Sequence, residues 1–197
     1  MNTKKHTVYE QPLQLSYQDP LLQKKMSDMI LYNLPVASED IVVVCIGTDR
    51  STGDALGPLT GSFLKENHLK HLKVYGTLHK PVHAKNIHEN IKYIHEKHLR
   101  PFIIAIDACL GKSSSVGHII SGIGAIKPGA ALQKDLPSIG NIYITGVVNI
   151  GGFLEYAILQ NTRLSIVVDM AKVIANILLR IDRCLTIQQN TKSHHLS

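Results

Sequence analysis

The sequence predicts an α/β protein in three layers, α/β/α, with helices on both faces of a mostly parallel sheet of about five strands. Three observations predict it. Runs such as "DIVVVCIG" from Asp40 to Gly47 are apolar on both faces, as a strand buried inside a parallel sheet must be. Segments with apolar residues at every third or fourth position separate these runs, which is the period of an amphipathic helix. The two kinds of segment alternate along the chain, and alternation of this kind builds parallel sheets with crossover helices.

Taken in order, residues 1 to about 20 are polar and carry Pro12 and Pro20, so they read as an arm. "LLQKKMSDMILYNL" places Leu22, Met26, Met29 and Ile30 at helical spacing and stops at Pro35, since proline does not continue a helix. After the first strand, "DALGPLTGSFLKENH" reads as a helix with Pro58 in its first turn, the position that tolerates it. "LKVYGTL" is a second strand, "HAKNIHENIKYIHEKH" a helix with Ile87, Ile91 and Ile94 on one stripe, and "RPFIIAIDA" a third strand. "GHIISGIG" and "NIYITGVV" add two more strands, joined by "AIKPGAALQKDLPSIG", whose two prolines indicate a loop with room for one helical turn. From Gly152 to about Leu185 the apolar residues Leu164, Val167, Ala171, Ile174, Leu178 and Ile181 repeat as in a helix. There is no internal repeat. The organisation expected is an amino-terminal arm and helix over 1–38, one α/β domain over 39–187 and a polar tail over 188–197.

Composition agrees with one globular unit. At 197 residues, 44% hydrophobic and 18% charged, the chain can bury one sizeable core. No apolar run reaches the roughly 20 residues of a membrane span, and the opening "MNTKKHTVYEQPLQL" has no apolar secretory core. A cytoplasmic location without membrane attachment is expected. Cys45, Cys109 and Cys184 have neither disulfide-scaffold nor zinc-ligand spacing, and read as buried thiols. The net charge of +6 biases the surface toward acidic partners. Dispersed lysines, 5% aromatics and the absence of Trp argue against direct nucleic-acid binding.

The loop "CIGTDRSTGDALGP", Cys45 to Pro58, is polar and long for a strand-to-helix connection. It lies at the carboxyl end of a strand, where open α/β sheets place ligands. Asp54 after the first strand and Asp107 after the third both fall at that edge. Each also has a structural reading: Asp54 could cap the helix starting at Ala55, although Gly57 supplies no capping-box partner, and Asp107 could bond its own turn. Asn149 in "VVNIGG" could donate its amide to the same cleft or serve as a turn residue. The pairs His79/His83 and His95/His98 have helical spacing but no HExxH pattern, so a solvated, histidine-rich face is expected; His83, next to the turn-setting Pro81, stands apart. "GKSS" at Gly111 has Ile106 where a P-loop requires glycine, and "GIGAIK" at Gly122 has Lys127 where a dinucleotide fingerprint requires Gly or Ala. Nucleotide binding is therefore not expected. Cys109 lies beside Asp107, whose charge would raise the thiol pKa, so it reads as an inert thiol.

"VVVCIGTDRSTGDALGP", "PFIIAIDACLG" and "IKPGAAL" together resemble the germination protease of spore-forming bacteria. "TLHKPVHAKN", "KPGAALQKDLPSIG" and "GVVNIGGFLEYAILQNTRLSIV" look like the small YyaC-type sporulation proteins related to that protease, over roughly residues 40 to 175. A more distant likeness is to the hydrogenase-maturation endopeptidases. The resemblance implies a phosphorylase/hydrolase-like, hydrogenase-maturation-protease-like sheet, a peptidase-like 39–187 domain and a catalytic aspartate pair, carried here by Asp54 and Asp107. Two carboxylates sharing one site do not both ionise cheaply, so one can act as acid while the other deprotonates a water. Asp49, Arg50, His83 and Asn149 are the substrate-binding candidates, with the glycines of the Gly47–Gly53 loop expected to let a peptide strand approach closely. The partner implied is a protein or peptide substrate such as the small acid-soluble proteins that coat spore DNA, in the cytoplasm of the forespore or spore core. No cofactor is expected. The alternatives are a metal-recognising processing peptidase, with His83 or His118 as third ligand, and a non-catalytic regulatory protein on the same fold. The sequence departs from the germination protease in its shorter length and in the loop composition around Arg50.

Overall fold

The computed structural model describes residues 11–35, 40–128 and 136–194. In chain order its elements are β1 (Leu13–Ser16), α1 (Leu22–Asn33), β2 (Ile41–Cys45), α2 (Leu56–Lys65), β3 (Leu72–Tyr75), α3 (Ile87–Lys97), β4 (Phe102–Gly111), β5 (His118–Ile123), β6 (Ile142–Ile150), α4 (Glu155–Gln160) and α5 (Leu164–His194). Among the described residues the sheet has six strands in the order β1-β5-β6-β4-β2-β3. β6, β4, β2 and β3 run parallel, and β5 and β1 add an antiparallel edge. The α/β class and the mostly parallel sheet are as the sequence predicts.

The sixth strand comes from the segment read as an arm. Leu13 and Leu15 alternate with polar residues and pack on the core, while β1 pairs with β5 through Leu13↔Ser121 and Leu15↔Ile119. Period-two alternation over four residues is a weak signal between two prolines. The carboxy-terminal helical stretch is two helices, broken at Asn161–Arg163, where the Thr162 hydroxyl bonds back to the carbonyl of Ile158.

The parallel strands bury both faces. Val43, Cys45, Ile104 and Ile106 point into a core shared with α1, α2 and α5. Val42, Val44, Ile103 and Ala105 point into a second core with Ile87 and Ile94 of α3. Alternate residues of a strand face opposite sides, so helices cover the sheet from both sides. The path β2–α2–β3 moves to one side of β2, whereas β4 lies on its other side with β6 beyond. The strand order therefore reverses between β2 and β4, and a crevice opens at their carboxyl ends.

Two close backbone approaches hold α2 over that edge. A Cβ at Gly61 would lie 1.8 Å from the Gly76 carbonyl, and one at Gly57 would lie 2.1 Å from that of Ile46. The motifs rejected as phosphate sites have unrelated structures: Lys112 leads into a short 3-10 turn at Ser113–Ser115, and Ile126 forms a bridge with Ile139. Part of the loop before Leu136, residues 129–135, lies outside the described residues. No helix among the described residues is long and apolar enough to cross a membrane.

Candidate active site

β2 stops at Cys45 while β4 continues beyond its last rung, Cys45↔Ile106, because β6 supports it through Gly111. Asp107 is the first residue past that rung and projects from the step in the sheet. It is partly buried, and its Oδ1 accepts the Ala108 N–H at 2.9 Å. Asp54 arrives from the other side, inside a 3-10 turn at Gly53–Ala55 that leads into α2. The capping positions of that turn and of α2 are Thr52 and Ala55, without side-chain cap bonds. Neither capping position is Asp54.

Both aspartates line one cavity of about 750 Å³ at the crevice, together with Asp49, Arg50 and His83. Three acids, Asp49, Asp54 and Asp107, and three cations, Arg50, Lys85 and Lys127, share the lining. An apolar wall of Leu110, Ile126, Leu136, Tyr156 and Leu159 completes it. The arrangement suits a ligand with polar main-chain groups and an apolar side chain, since sites of this kind combine apolar walls with a few placed polar groups.

The loop that carries Asp54 folds on itself. The Thr48 N–H bonds to the Asp54 carbonyl at 3.2 Å, and a Cβ at Gly47, whose φ is +143°, would lie 1.9 Å from that same oxygen. Gly53 likewise abuts Leu159, 2.7 Å from where its Cβ would be. These glycines are required by packing within the protein. The Gly47 N–H bonds to the carbonyl of Val82 at 2.8 Å, joining this loop to the turn that presents His83. In that turn Asn86 accepts the His83 N–H at 2.8 Å and donates to the Pro81 carbonyl at 3.0 Å.

Asn149 does not join the lining. Its Oδ1 accepts the Ile150 N–H at 2.8 Å and its Nδ2 donates to Thr162 at 3.2 Å, so the side chain fixes the corner between β6 and α5. His118 bonds through Nδ1 to the Ser115 carbonyl at 3.0 Å and lies outside the cavity lining. Among the described residues, no three His, Cys, Asp or Glu side chains are grouped as a metal would need. His79 and His95 are exposed, but His98 departs from the solvated face expected: it is 6% exposed and bridges Asp40 and the Tyr75 hydroxyl, each at 2.8 Å.

Cys109 lines the cavity with its thiol pushed up to about 11, chiefly by burial; a hydrogen bond with Thr145 opposes the rise and the Asp107 charge adds to it. Burial raises Cys45 further. Neither thiol is a nucleophile at neutral pH, because the thiolate is the reactive form. Sequence reasoning missed Ser51, Lys85, Lys127 and Tyr156 as lining residues. The spacing after the turn-setting Pro81 is a signal for Lys85, whereas Lys127 and Tyr156 reach the cavity only through long-range packing. Phe153, 95% exposed, and Leu154, at a φ of 82°, stand just before Tyr156.

The sheet is doubly wound, and Asp49, Asp54 and Asp107 line the crevice at its switch point. The chain is similar in fold to the [NiFe] hydrogenase maturation protease HycI of Thermococcus kodakarensis KOD1, with a TM-score of 0.51 and 15% identity over 81% of this chain and 99% of that one. Residues 14–177 match the family described as "Protein of unknown function (DUF1256)", and the chain belongs to that family. It is 51% identical over 170 residues, 86% of this chain and 83% of the relative, to the uncharacterized protein YyaC of Bacillus subtilis (strain 168).

Proposed function

We propose that the protein is an endopeptidase that hydrolyses peptide bonds by acid–base chemistry on the Asp54/Asp107 pair, in sporulation or spore germination. The observation that carries this reading is that Asp54, in the turn before α2, and Asp107, on β4, line one cavity at the switch point of the sheet. In this mechanism one carboxyl stays protonated and donates to the departing amide nitrogen, while the other takes a proton from the attacking water. No covalent intermediate forms, in keeping with the neutral thiol of Cys109 in the same cavity. Asp49 and Arg50, on the loop above the pair, contact the peptide main chain and set its register. The fold shared with a hydrogenase maturation protease supports peptide hydrolysis as the class of reaction. The substrates proposed are small acid-soluble spore proteins or similarly unstructured chains.

Incubation of the purified protein with small acid-soluble spore proteins, followed by intact-mass measurement, tests the reading. Wild type is expected to yield discrete fragments, and Asp107→Asn to reduce the rate by about 100- to 10,000-fold, the range of general acid–base contributions. Cleavage lost to a chelator and restored by a divalent metal would replace this mechanism with metal-assisted processing. Tight binding without cleavage from about pH 5 to 8 would leave a regulatory protein on a peptidase fold, since an acid pair works only where one of the two carboxyls is protonated.

A further inference from the structure

Among the described residues, two polar atoms in the cavity lining have no partner. The Ser51 hydroxyl and the His83 Nδ1 are both sealed from solvent, and neither makes a hydrogen bond. Ser51 is only 4% exposed, yet both residues line the same cavity as the aspartates. A buried hydroxyl or ring nitrogen left without a hydrogen bond is costly, and native proteins retain few such groups without a reason. Among the described residues these two are the only buried side-chain polar atoms so placed.

We propose that Ser51 and His83 form a two-point subsite that binds the main-chain amide of the substrate beside the scissile bond; this deepens the peptidase reading and rests on it for the identity of the ligand as a peptide. The chemistry of the pair selects the ligand. A serine hydroxyl both donates and accepts, and an imidazole Nδ1 donates or accepts according to tautomer. Together they match the one N–H and one C=O of a peptide amide. An anion would be drawn instead to Arg50, Lys85 or Lys127 and a cation to the three acids, so this part of the lining is left to a neutral polar group. Rotation of Ser51 about χ1 between staggered positions turns its hydroxyl toward the cavity at small cost. The His83 backbone is held by the Pro81–Asn86 turn and by the Gly47–Val82 bond, and its ring, like the Ser51 hydroxyl, turns about its side-chain bonds to present Nδ1 to the ligand.

The test uses N-acetylalanine N′-methylamide, a single-residue mimic of the peptide main chain, so that it does not depend on cleavage. It is titrated into the full-length protein while nitrogen-15 shifts of the His83 ring and the Ser51 amide are followed. Saturable shifts at both residues are expected, with a Kd on the order of 10 mM for so small a ligand. Ser51→Ala should weaken binding by about 3- to 10-fold, the range of one hydrogen bond. Its melting temperature without ligand should be unchanged or raised, because the substitution removes an unsatisfied hydroxyl. Acetate should not reproduce the shifts. Absence of saturable shifts, equal competition by acetate, or a melting temperature lowered by Ser51→Ala would each overturn the subsite. A protein that binds the amide but cleaves nothing would keep the subsite and refute only the peptidase.

Discussion

Cys109 shows how one residue's surroundings decide what the cavity does not do. In the folded protein it keeps its proton up to about 11, whereas an ordinary thiol loses it near 9.0. A group whose folded pKa is raised adds stability that is complete below the unfolded value and is lost as pH rises through the folded one. Stability should therefore decline between about pH 9 and 11, as the unfolded chain releases this proton first. Cys45, raised in the same direction, contributes to the same decline. Cys109→Ser should flatten part of that alkaline slope in urea-unfolding midpoints and leave peptide hydrolysis at neutral pH unaltered. A lost activity would make Cys109 part of the chemistry and refute the pair of carboxyls acting alone.

At the scale of elements, the entry to β3 depends on a helix distant in sequence. Asp182 of α5, 5% exposed, accepts the backbone N–H groups of Lys70, His71 and Leu72 at 3.1, 2.8 and 3.1 Å. Thr186, one turn further, meets the His71 ring at 3.0 Å. Three donors lose their acceptor in Asp182→Ala, with an expected loss of about 2–4 kcal/mol, a melting temperature lower by roughly 5–15 °C. Thermal unfolding followed by circular dichroism measures it, and a shift under about 2 °C, the effect of half a kilocalorie or so, would show that water replaces the carboxylate without loss. Nothing in the sequence announces this contact, because Asp182 sits in a helical stretch where an acid ordinarily faces solvent. The strands of the parallel sheet were legible, since Ile41–Cys45 and Phe102–Ile106 are apolar on both faces. The helices α1 and α3 were legible from apolar residues at every third or fourth position. Asp54 and Asp107 were legible as acids near the carboxyl edge of the sheet, although β4 runs on past Asp107 to Gly111; Ser51 was not legible, since a serine in a polar loop ordinarily finds a partner, and only the packed cavity shows that this one does not. Asn149 looked equally suited to the cleft, and its bond to Thr162, which breaks the helical stretch, takes it away.

For the whole molecule, the two sheet edges are managed differently. β3 ends one side and is short, with an exposed Lys73, the kind of edge that resists pairing with another chain. On the other side β5 would be the edge if β1 were absent, and its outward backbone groups are satisfied by the four-residue register from Leu13↔Ser121 to Ser16↔His118. β1 is held in turn by Leu13 and Leu15 against the core and by the Tyr17 N–H bond to the Gly117 carbonyl at 2.9 Å. Replacing both leucines by aspartate puts two charges against apolar surface and should detach the strand, at a cost of about 2–5 kcal/mol for the two half-buried side chains. The exposed β5 edge would then pair with a second copy. Sedimentation of Leu13→Asp/Leu15→Asp should show a larger average mass than wild type at equal concentration, growing with concentration, together with a lower melting temperature. The aspartate cavity lies at the β2–β4 switch point, with β6 and β5 between it and β1, so the dissociated variant should still bind the amide probe. Unchanged mass and melting temperature would mean that β1 contributes nothing to closing this edge.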